Sequence, residues 1–477
     1  MRRAMLPFAS VGFLWLLSAP LPAPAQDPRP SIVFFLTDDQ RADSMGCAGN
    51  AAVKTPHLDR IASEGVRFRN AFVTHSLCSP SRASFLTGQY SSLHGVINNG
   101  TDLPDAHLTF PQLLQKAGYA TGYCGKWHMS AKRSDRRPGF DFMATFKGQG
   151  VYDDPPIEVN GRQFKAKGWM DDILTDHALE FLKGVPKGKP FYLQVAFKSA
   201  HGPFSPPDRL KGAYPNVVFP LAPAVKDDLS AKPRWQQGGS RWSAYAKEAG
   251  KDPAAWIQDF IRNYQACLAA ADENVGRVLK YLDDNGFAEN TIVVFAGDNG
   301  YFFGEHDHLD KRLMYEESIR VPYLARFPKG VKGGRVLDPM VLNIDLAPTL
   351  LDYAGIEVPA QMQGKSLRPI LEGKDVPWRT SWYYEYFESH KDLVPIEGVR
   401  TSTRKYVRTM GVEPVEEEMY DLEKDPREMT NLAADPAMKD AKAALVAEME
   451  RLKKELGIPE VTVRQSKEAK KPAKRNR

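Results

Sequence analysis

Four apolar runs constrain this chain more than any other feature. They are Ser31–Thr37, Tyr119–Tyr123, Phe191–Phe197 and Thr291–Ala296. Runs of this length without a polar alternation predict strands buried on both faces, as in a parallel sheet covered by helices. Helical patterns lie between them: Pro56–Glu64, Thr109–Ala117, Asp171–Lys183 and Asp259–Asp284. In the last, Phe260, Tyr264, Cys267, Leu268, Ala271, Val275, Val278 and Leu282 recur at three- and four-residue spacings, one face of an amphipathic helix. Strands alternating with helices predict an α/β fold with a large, mostly parallel sheet sandwiched by helices. Polar residues follow just past the carboxyl end of each run: Asp38 and Asp39, Lys126 and His128, His201, Asp298 and Asn299. Ligands of open α/β sheets bind outside those ends, so groups far apart in sequence should converge on one site.

After about Gly364 the texture changes. Trp382–Phe387, Lys405–Thr409 and the stretch from Glu418 read as antiparallel strands, and Pro436–Leu456 reads as a helix capped by Asp435. This predicts a small C-terminal α+β subdomain over residues 366–460, after a catalytic domain over 26–365. Pro206–Pro253 has no period and is long for a connection, which suggests a functional loop. The amino end has the form of a secretory signal peptide over 1–25. Arg2-Arg3 precede an apolar run to Leu17, and Ala23-Pro24-Ala25 offers a cleavage site. That places the protein outside the cytoplasm, periplasmic or extracellular. No run reaches the roughly 18 apolar residues of a membrane span, so no integral membrane segment is expected. The formal charge of +5 is concentrated at the ends. Arg2 and Arg3 lie in the leader, and the last fourteen residues carry seven Lys/Arg against one Glu; setting those eight net positive charges aside leaves −3. The body is therefore not a nucleic-acid surface, and residues 461–477 read as a solvated basic tail. Four cysteines at wide spacing give no zinc motif, and the pairing of Cys47, Cys124 and Cys267 is open.

Leu77–Gly88 reads Leu-Cys-Ser-Pro-Ser-Arg-Ala-Ser-Phe-Leu-Thr-Gly. Pro80 suits the first turn of a helix, which puts Cys78 at a helix N-terminus, where backbone N–H groups and the dipole favour an anion. Arg82 adds a fork of donors for a tetrahedral oxyanion. Asp38, Asp39, Asp298 and Asn299 offer hard oxygen ligands, suited to Ca²⁺ or Mg²⁺. Lys126 and Lys311 supply positive charge, and His128 and His201 are candidates for proton transfer near neutral pH. Singly, each has an ordinary reading as a surface charge, a cap or a turn residue. Gathered at strand ends, they form what transfer of an anionic group requires.

The string Cys-x-Pro-Ser-Arg followed by Leu-Thr-Gly resembles the signature of the type I sulfatases, a family of the alkaline phosphatase superfamily. The resemblance spans roughly Ser31–Leu367. It implies that Cys78 is oxidised to formylglycine by a formylglycine-generating or sulfatase-maturating enzyme. It also implies that Asp38, Asp39, Asp298, Asn299 and the modified residue 78 hold Ca²⁺. Gly-Lys-Trp-His carries over Lys126 and His128, His-Gly-Pro carries over His201, and Asp310–Arg312 carries over Lys311. In the implied mechanism the aldehyde hydrate attacks sulfur, His201 protonates the leaving alcohol, and His128 takes the second hydroxyl proton. Lys126, Lys311 and Arg82 hold the sulfate. Lys126, His201, Lys311, His306 and His308 are the expected substrate contacts, although Asp307-His308 departs from the family's glycine-containing form.

The string around Asp310–Pro322 is similar to that of bacterial glycan sulfatases, including those for N-acetylglucosamine-6-sulfate, so the expected substrate is a sulfated carbohydrate. Trp235, Trp242 and Trp256 in the long loop could stack on sugar rings. Two alternatives stand beside this one: a phosphate or phosphonate ester hydrolase of the same superfamily, and a catalytically inactive binder of sulfated glycans. The reading requires the two aspartate segments to share a coordination shell and residue 78 to open to solvent.

Overall fold

The computed structural model describes residues 27–129, 137–237, 242–389 and 393–460. The expected signal peptide and basic tail lie outside the described residues. Three of the four apolar runs extend by one to three residues or shift at an end, giving β1 (Ser31–Thr37), β2 (Ala120–Lys126), β3 (Phe191–Ala196) and β4 (Thr291–Gly297), every residue of which is buried. They lie side by side in the order β4-β1-β3-β2, all parallel, at the centre of a ten-stranded sheet. Beyond β4 come Tyr323–Arg326, Val66–Phe68 and Arg335–Leu337. Beyond β2 come Phe142–Phe146, Pro156–Val159 and Arg162–Lys165. Tyr323–Arg326 runs antiparallel to β4, so the sheet is mixed at its flanks.

Successive side chains of a strand point to opposite faces, and β1 shows why both faces had to be apolar. Ile32, Phe34 and Leu36 join a core with Phe85 of helix α1 (Cys78–Thr87) and Leu350 and Leu351. Val33 and Phe35 join the opposite core with Leu182 of α2 (Met170–Gly184) and Val275 and Val278 of α3 (Pro253–Asp284). Seven of the eight stripe positions of α3 are buried, and Phe260 is half-buried. The helix begins at Pro253, six residues before the expected start. The Asp252 carboxylate accepts from the Ala255 N–H at 2.9 Å, and Pro253 fills the first position, so the cap rather than the apolar stripe sets the start.

The loop after Pro206 contains short 3₁₀ turns and the helix Trp242–Glu248. Trp235 packs against the C-terminal core and Trp256 reaches the cavity described below, while the Trp242 side chain lies outside the described residues. A four-stranded antiparallel sheet follows, β5 (Ser381–Tyr386), β6 (Ile396–Thr401), β7 (Arg404–Thr409) and β8 (Glu417–Asp421), paired in sequence order and covered by the helix Lys439–Leu456. Strand β6 carries no apolar run of its own.

Candidate active site

The carboxyl ends of β4, β1, β3 and β2 deliver their polar residues to one place. Asp38, Asp39 and Asp298 bring one carboxylate oxygen each within 4.8 Å of one another. The Asp39 N–H donates to Asp298 Oδ1 at 3.0 Å. Asn299 donates its amide to Asp39 Oδ1 (2.6 Å) and the Gly300 carbonyl (2.9 Å), which leaves its Oδ1 buried without a hydrogen-bond partner. Three fully buried carboxylates and an orphaned amide oxygen are a costly arrangement unless a cation takes up the charge. An all-oxygen set of this kind fits a hard divalent ion such as Ca²⁺.

Cations of the chain surround these acids. Lys126 Nζ lies against Asp38 Oδ2 and 2.5 Å from Gln149 Oε1. Lys311 Nζ is 2.6 Å from Asp39 Oδ1. Arg82, 1% exposed, donates from Nε to Asp298 (2.9 Å) and from a terminal nitrogen to the Lys126 carbonyl (2.6 Å), with its other nitrogen 3.4 Å from Asp38. The balance differs among the acids. Burial raises Asp38, but Lys126 foremost, with Arg82 and Lys311, holds it well below its ordinary range. Burial, against the pull of Lys311 and with the push of Asp38 and Asp298, takes Asp39 up to about 6.

Cys78 is the first residue of α1, with Leu77 extended before it. Its Sγ is 3.6 Å from Asp38 Oδ1, and Asp38, Cys78 and His201 place ligand atoms within 4.8 Å of one another. Burial, then the Asp38 charge, pushes the thiol up to about 12. The helix ends at Gly88, whose φ of 67° is the left-handed cap that suits glycine. Gly125 serves β2: its φ is 141°, and a Cβ there would sit 1.9 Å from the Ala196 carbonyl oxygen of β3, so glycine lets the strand bearing Lys126 lie against its neighbour.

His201 hydrogen-bonds through Nδ1 with the Gly202 carbonyl (2.7 Å), and its Nε2 is 4.0 Å from Asp39. His128 Nδ1 is 3.2 Å from Ser79 Oγ, whose hydroxyl donates to the His128 carbonyl (2.8 Å). Burial, then Lys126, holds both imidazoles far below their ordinary range, hence neutral. Asp39, His128, Asp310 and Arg312 all have positive φ (54°, 61°, 81° and 100°). Left-handed backbone at non-glycine residues is uncommon and gathers at functional sites.

A cavity of about 560 Å³ opens above this centre, lined by Asp39, His201, His308, Lys311, Arg312 and the aromatic wall of Trp256, Phe260 and Tyr301. Cys78 is not among the lining residues and has no exposed surface. The expectation that residue 78 opens directly to solvent is therefore not met in this conformation. Lys126 and Lys311 are ion-paired to Asp38 and Asp39. His308 lines the cavity. His306 does not: it is buried, 2.7 Å from Asp227 through Nδ1 and stacked on Tyr315 at 4.0 Å. Its place is in the wall behind the site.

Several supporting residues escape sequence reasoning. Asp171 accepts from the Lys198 and Ser199 N–H groups (2.8 and 3.1 Å) and so fixes the turn that carries His201. The Tyr264 hydroxyl donates to the Asp39 carbonyl (2.7 Å), and the Tyr152 hydroxyl to the His201 carbonyl (3.0 Å). Asn99 accepts from the Ser79 N–H at 3.0 Å. The Asp171-Asp172 pair at a helix start was a visible signal, but it reads equally as a dipole-matching first turn.

Residues 30–356 match the family model described as Sulfatase, and residues 304–455 match one described as N-sulphoglucosamine sulphohydrolase, C-terminal. An N-acetylglucosamine-6-O-sulfatase of Bacteroides thetaiotaomicron is 35% identical over 90% of this chain and 86% of its own. A solved protein in complex with its substrate D-glucosamine-2-N,6-O-disulfate superposes with a TM-score of 0.85 at 33% identity, over 91% of this chain and 99% of that one. A phosphonate monoester hydrolase from Silicibacter pomeroyi shares the fold with a TM-score of 0.75 at 24% identity, over 90% of this chain and 96% of its own.

Proposed function

Because the chain belongs to the sulfatase family of the alkaline phosphatase superfamily and is a sulfuric ester hydrolase of sulfated glycans, we propose that its substrate is a 6-O-sulfated N-acetylglucosamine unit. The observation that carries this reading is the meeting of three carboxylates, one orphaned amide oxygen, two lysines and an arginine around residue 78. The glucosamine-6-sulfate chemistry named for two relatives supports the choice of sugar.

Asp38, Asp39, Asp298 and Asn299 would hold the divalent cation, with residue 78 beside them. Bound there, Ca²⁺ supplies positive charge against the sulfate oxygens, and oxidation of Cys78 to formylglycine supplies an oxygen nucleophile in place of a thiol that stays protonated at neutral pH. Once their carboxylate partners turn to a cation, Lys126 and Lys311 are free to donate to sulfate. Arg82 keeps Asp298 oriented and adds charge from below. With Nδ1 on the Gly202 carbonyl, His201 presents Nε2 for the leaving oxygen, and an anionic ester beside it favours the imidazolium needed for proton donation. His128, buried and neutral, suits the role of base. We assign maturation to a formylglycine-generating or sulfatase-maturating enzyme, and place the protein in the periplasm or outside the cell. Among the described residues no helix is long and apolar enough to cross a membrane.

Steady-state rates on 6-O-sulfated N-acetylglucosamine and on its 6-phosphate test the assignment. A kcat/KM favouring the sulfate by at least tenfold is expected. A preference for the phosphate overturns it in favour of a phosphate ester hydrolase.

A further inference from the structure

A second cavity, of about 500 Å³, lies where the sheet edge meets the C-terminal subdomain and shares no lining residue with the catalytic one. Five arginines line it, Arg41, Arg67, Arg320, Arg400 and Arg427, against Asp43, Glu316 and Glu317. Three of the five are matched. Arg400 places its fork on Glu316 (2.9 and 3.1 Å), Arg41 binds Asp43 and Glu305 (both 2.9 Å), and Arg427 is 3.6 Å from Glu317. Among the described residues, Arg67 and Arg320 face no carboxylate within ion-pair distance, and the one side-chain hydrogen bond of Arg320 runs from Nε to the Arg69 carbonyl (2.9 Å). Two guanidinium groups are thus left without a direct ion pair in a concave site already crowded with arginine, Arg320 feeling Glu316 and Asp43 only at longer range. Glu317, 9% exposed, lines the same cavity with a buried Oε2 that has no hydrogen-bond partner.

We propose that this cavity binds a tetrahedral oxyanion, sulfate or phosphate, through Arg67 and Arg320. Guanidinium forks match such anions in shape and charge, and two unmatched positive charges suit a dianion. The volume also admits a sugar ring, so the anion can arrive free or carried on a saccharide. Burial, opposed by Glu316 and Asp43 and reinforced by Arg400 and Arg67, disfavours the Arg320 charge, which a bound anion would relieve. Carboxyl Glu317, pushed up to about 7 by burial and then by Glu305, is partly protonated near neutral pH and able to donate to an anion oxygen.

Crystals of the full chain soaked in selenate, an anomalous stand-in for sulfate, should show a peak within hydrogen-bonding reach of Arg67 and Arg320. Calorimetric titration with inorganic sulfate should resolve two binding processes. Arg67→Gln, which removes a guanidinium that faces no carboxylate within ion-pair distance among the described residues, should weaken one of them at least tenfold and leave turnover of a sulfate ester within twofold. The double variant R67Q/R320Q should abolish that process. Repeating the titration in a Cys78→Ala background with 6-sulfated glucosamine separates the sources: tighter binding than inorganic sulfate identifies a sugar-borne group, weaker binding the free ion. No selenate at this cavity under conditions that fill the catalytic site, or an R67Q titration matching wild type, overturns the proposal.

Discussion

Arg82→Ala probes the electrostatics of the centre. The side chain is 1% exposed and bonds Asp298 at 2.9 Å, with a second nitrogen 3.4 Å from Asp38, itself fully buried. Truncation leaves those carboxylates with only Lys126 and Lys311 as counter-charges. Removing one partner of a buried ion pair costs about 3–5 kcal/mol. Unfolding entropy scales with chain length, so for a chain this large each kcal/mol moves the melting temperature by roughly 1 °C, and the metal-free variant should melt about 3–5 °C below wild type. Arg82 and the cation neutralise the same oxygens, so the two are coupled. Saturating Ca²⁺ should stabilise the variant more than wild type, and the gap should narrow. Differential scanning calorimetry in chelator and in Ca²⁺ measures both. A variant within 1 °C of wild type in chelator, or a gap that widens with Ca²⁺, refutes the charge accounting.

Other outcomes follow from the same structure. Asp272 on α3 accepts from the Leu58 and His57 N–H groups (2.8 and 3.2 Å), and burial, against those bonds, pushes it up to about 7. A raised carboxyl contributes stability that is complete below its unfolded value near 4 and is lost as pH rises towards 7. Asp272→Asn should flatten that fall, gaining on wild type by up to about 4 kcal/mol between pH 4 and 8, read from melting temperatures across pH. Trp256→Ala removes one of the three aromatic rings that wall the cavity and should raise KM for a saccharide substrate about tenfold with kcat little changed, a loss of about 1.4 kcal/mol. His306→Ala, which breaks the contact with Asp227 and the stack on Tyr315, should lower the melting temperature measurably while His308→Ala chiefly alters KM. Equal effects on KM would place His306 in the substrate site after all.

Much of this architecture was legible because burial on two faces leaves a plain mark. Strand β1 reads as apolar at every inner position since Ile32, Phe34 and Leu36 meet one helical layer and Val33 and Phe35 the other. Polar residues at the ends of such strands have one destination, so Asp38, Lys126, His201 and Asp298 could be gathered before any coordinates. Strands whose pairing is their main support stayed hidden. Arg162–Lys165 is exposed throughout, and β6 is interrupted by Gly398. The buried place of His306 depends on Asp227, 79 residues away in sequence, and no local pattern announces such a contact. The same holds for Asp171, whose task is set by a turn that only the tertiary fold brings to it. Left-handed backbone at Asp39 and His128 is invisible in a sequence that places no glycine there. The covered state of Cys78 is a matter of side-chain packing over one thiol, which strand patterning does not address.

Residue 78 as the source of the nucleophile is the premise on which the site's chemistry depends. Protein co-expressed with a maturating enzyme should carry an active-site peptide lighter than the cysteine form and release sulfate from 6-O-sulfated N-acetylglucosamine, and Cys78→Ala, folded and still binding Ca²⁺, should release none above background. Sulfate release by Cys78→Ala at the wild-type rate would contradict it.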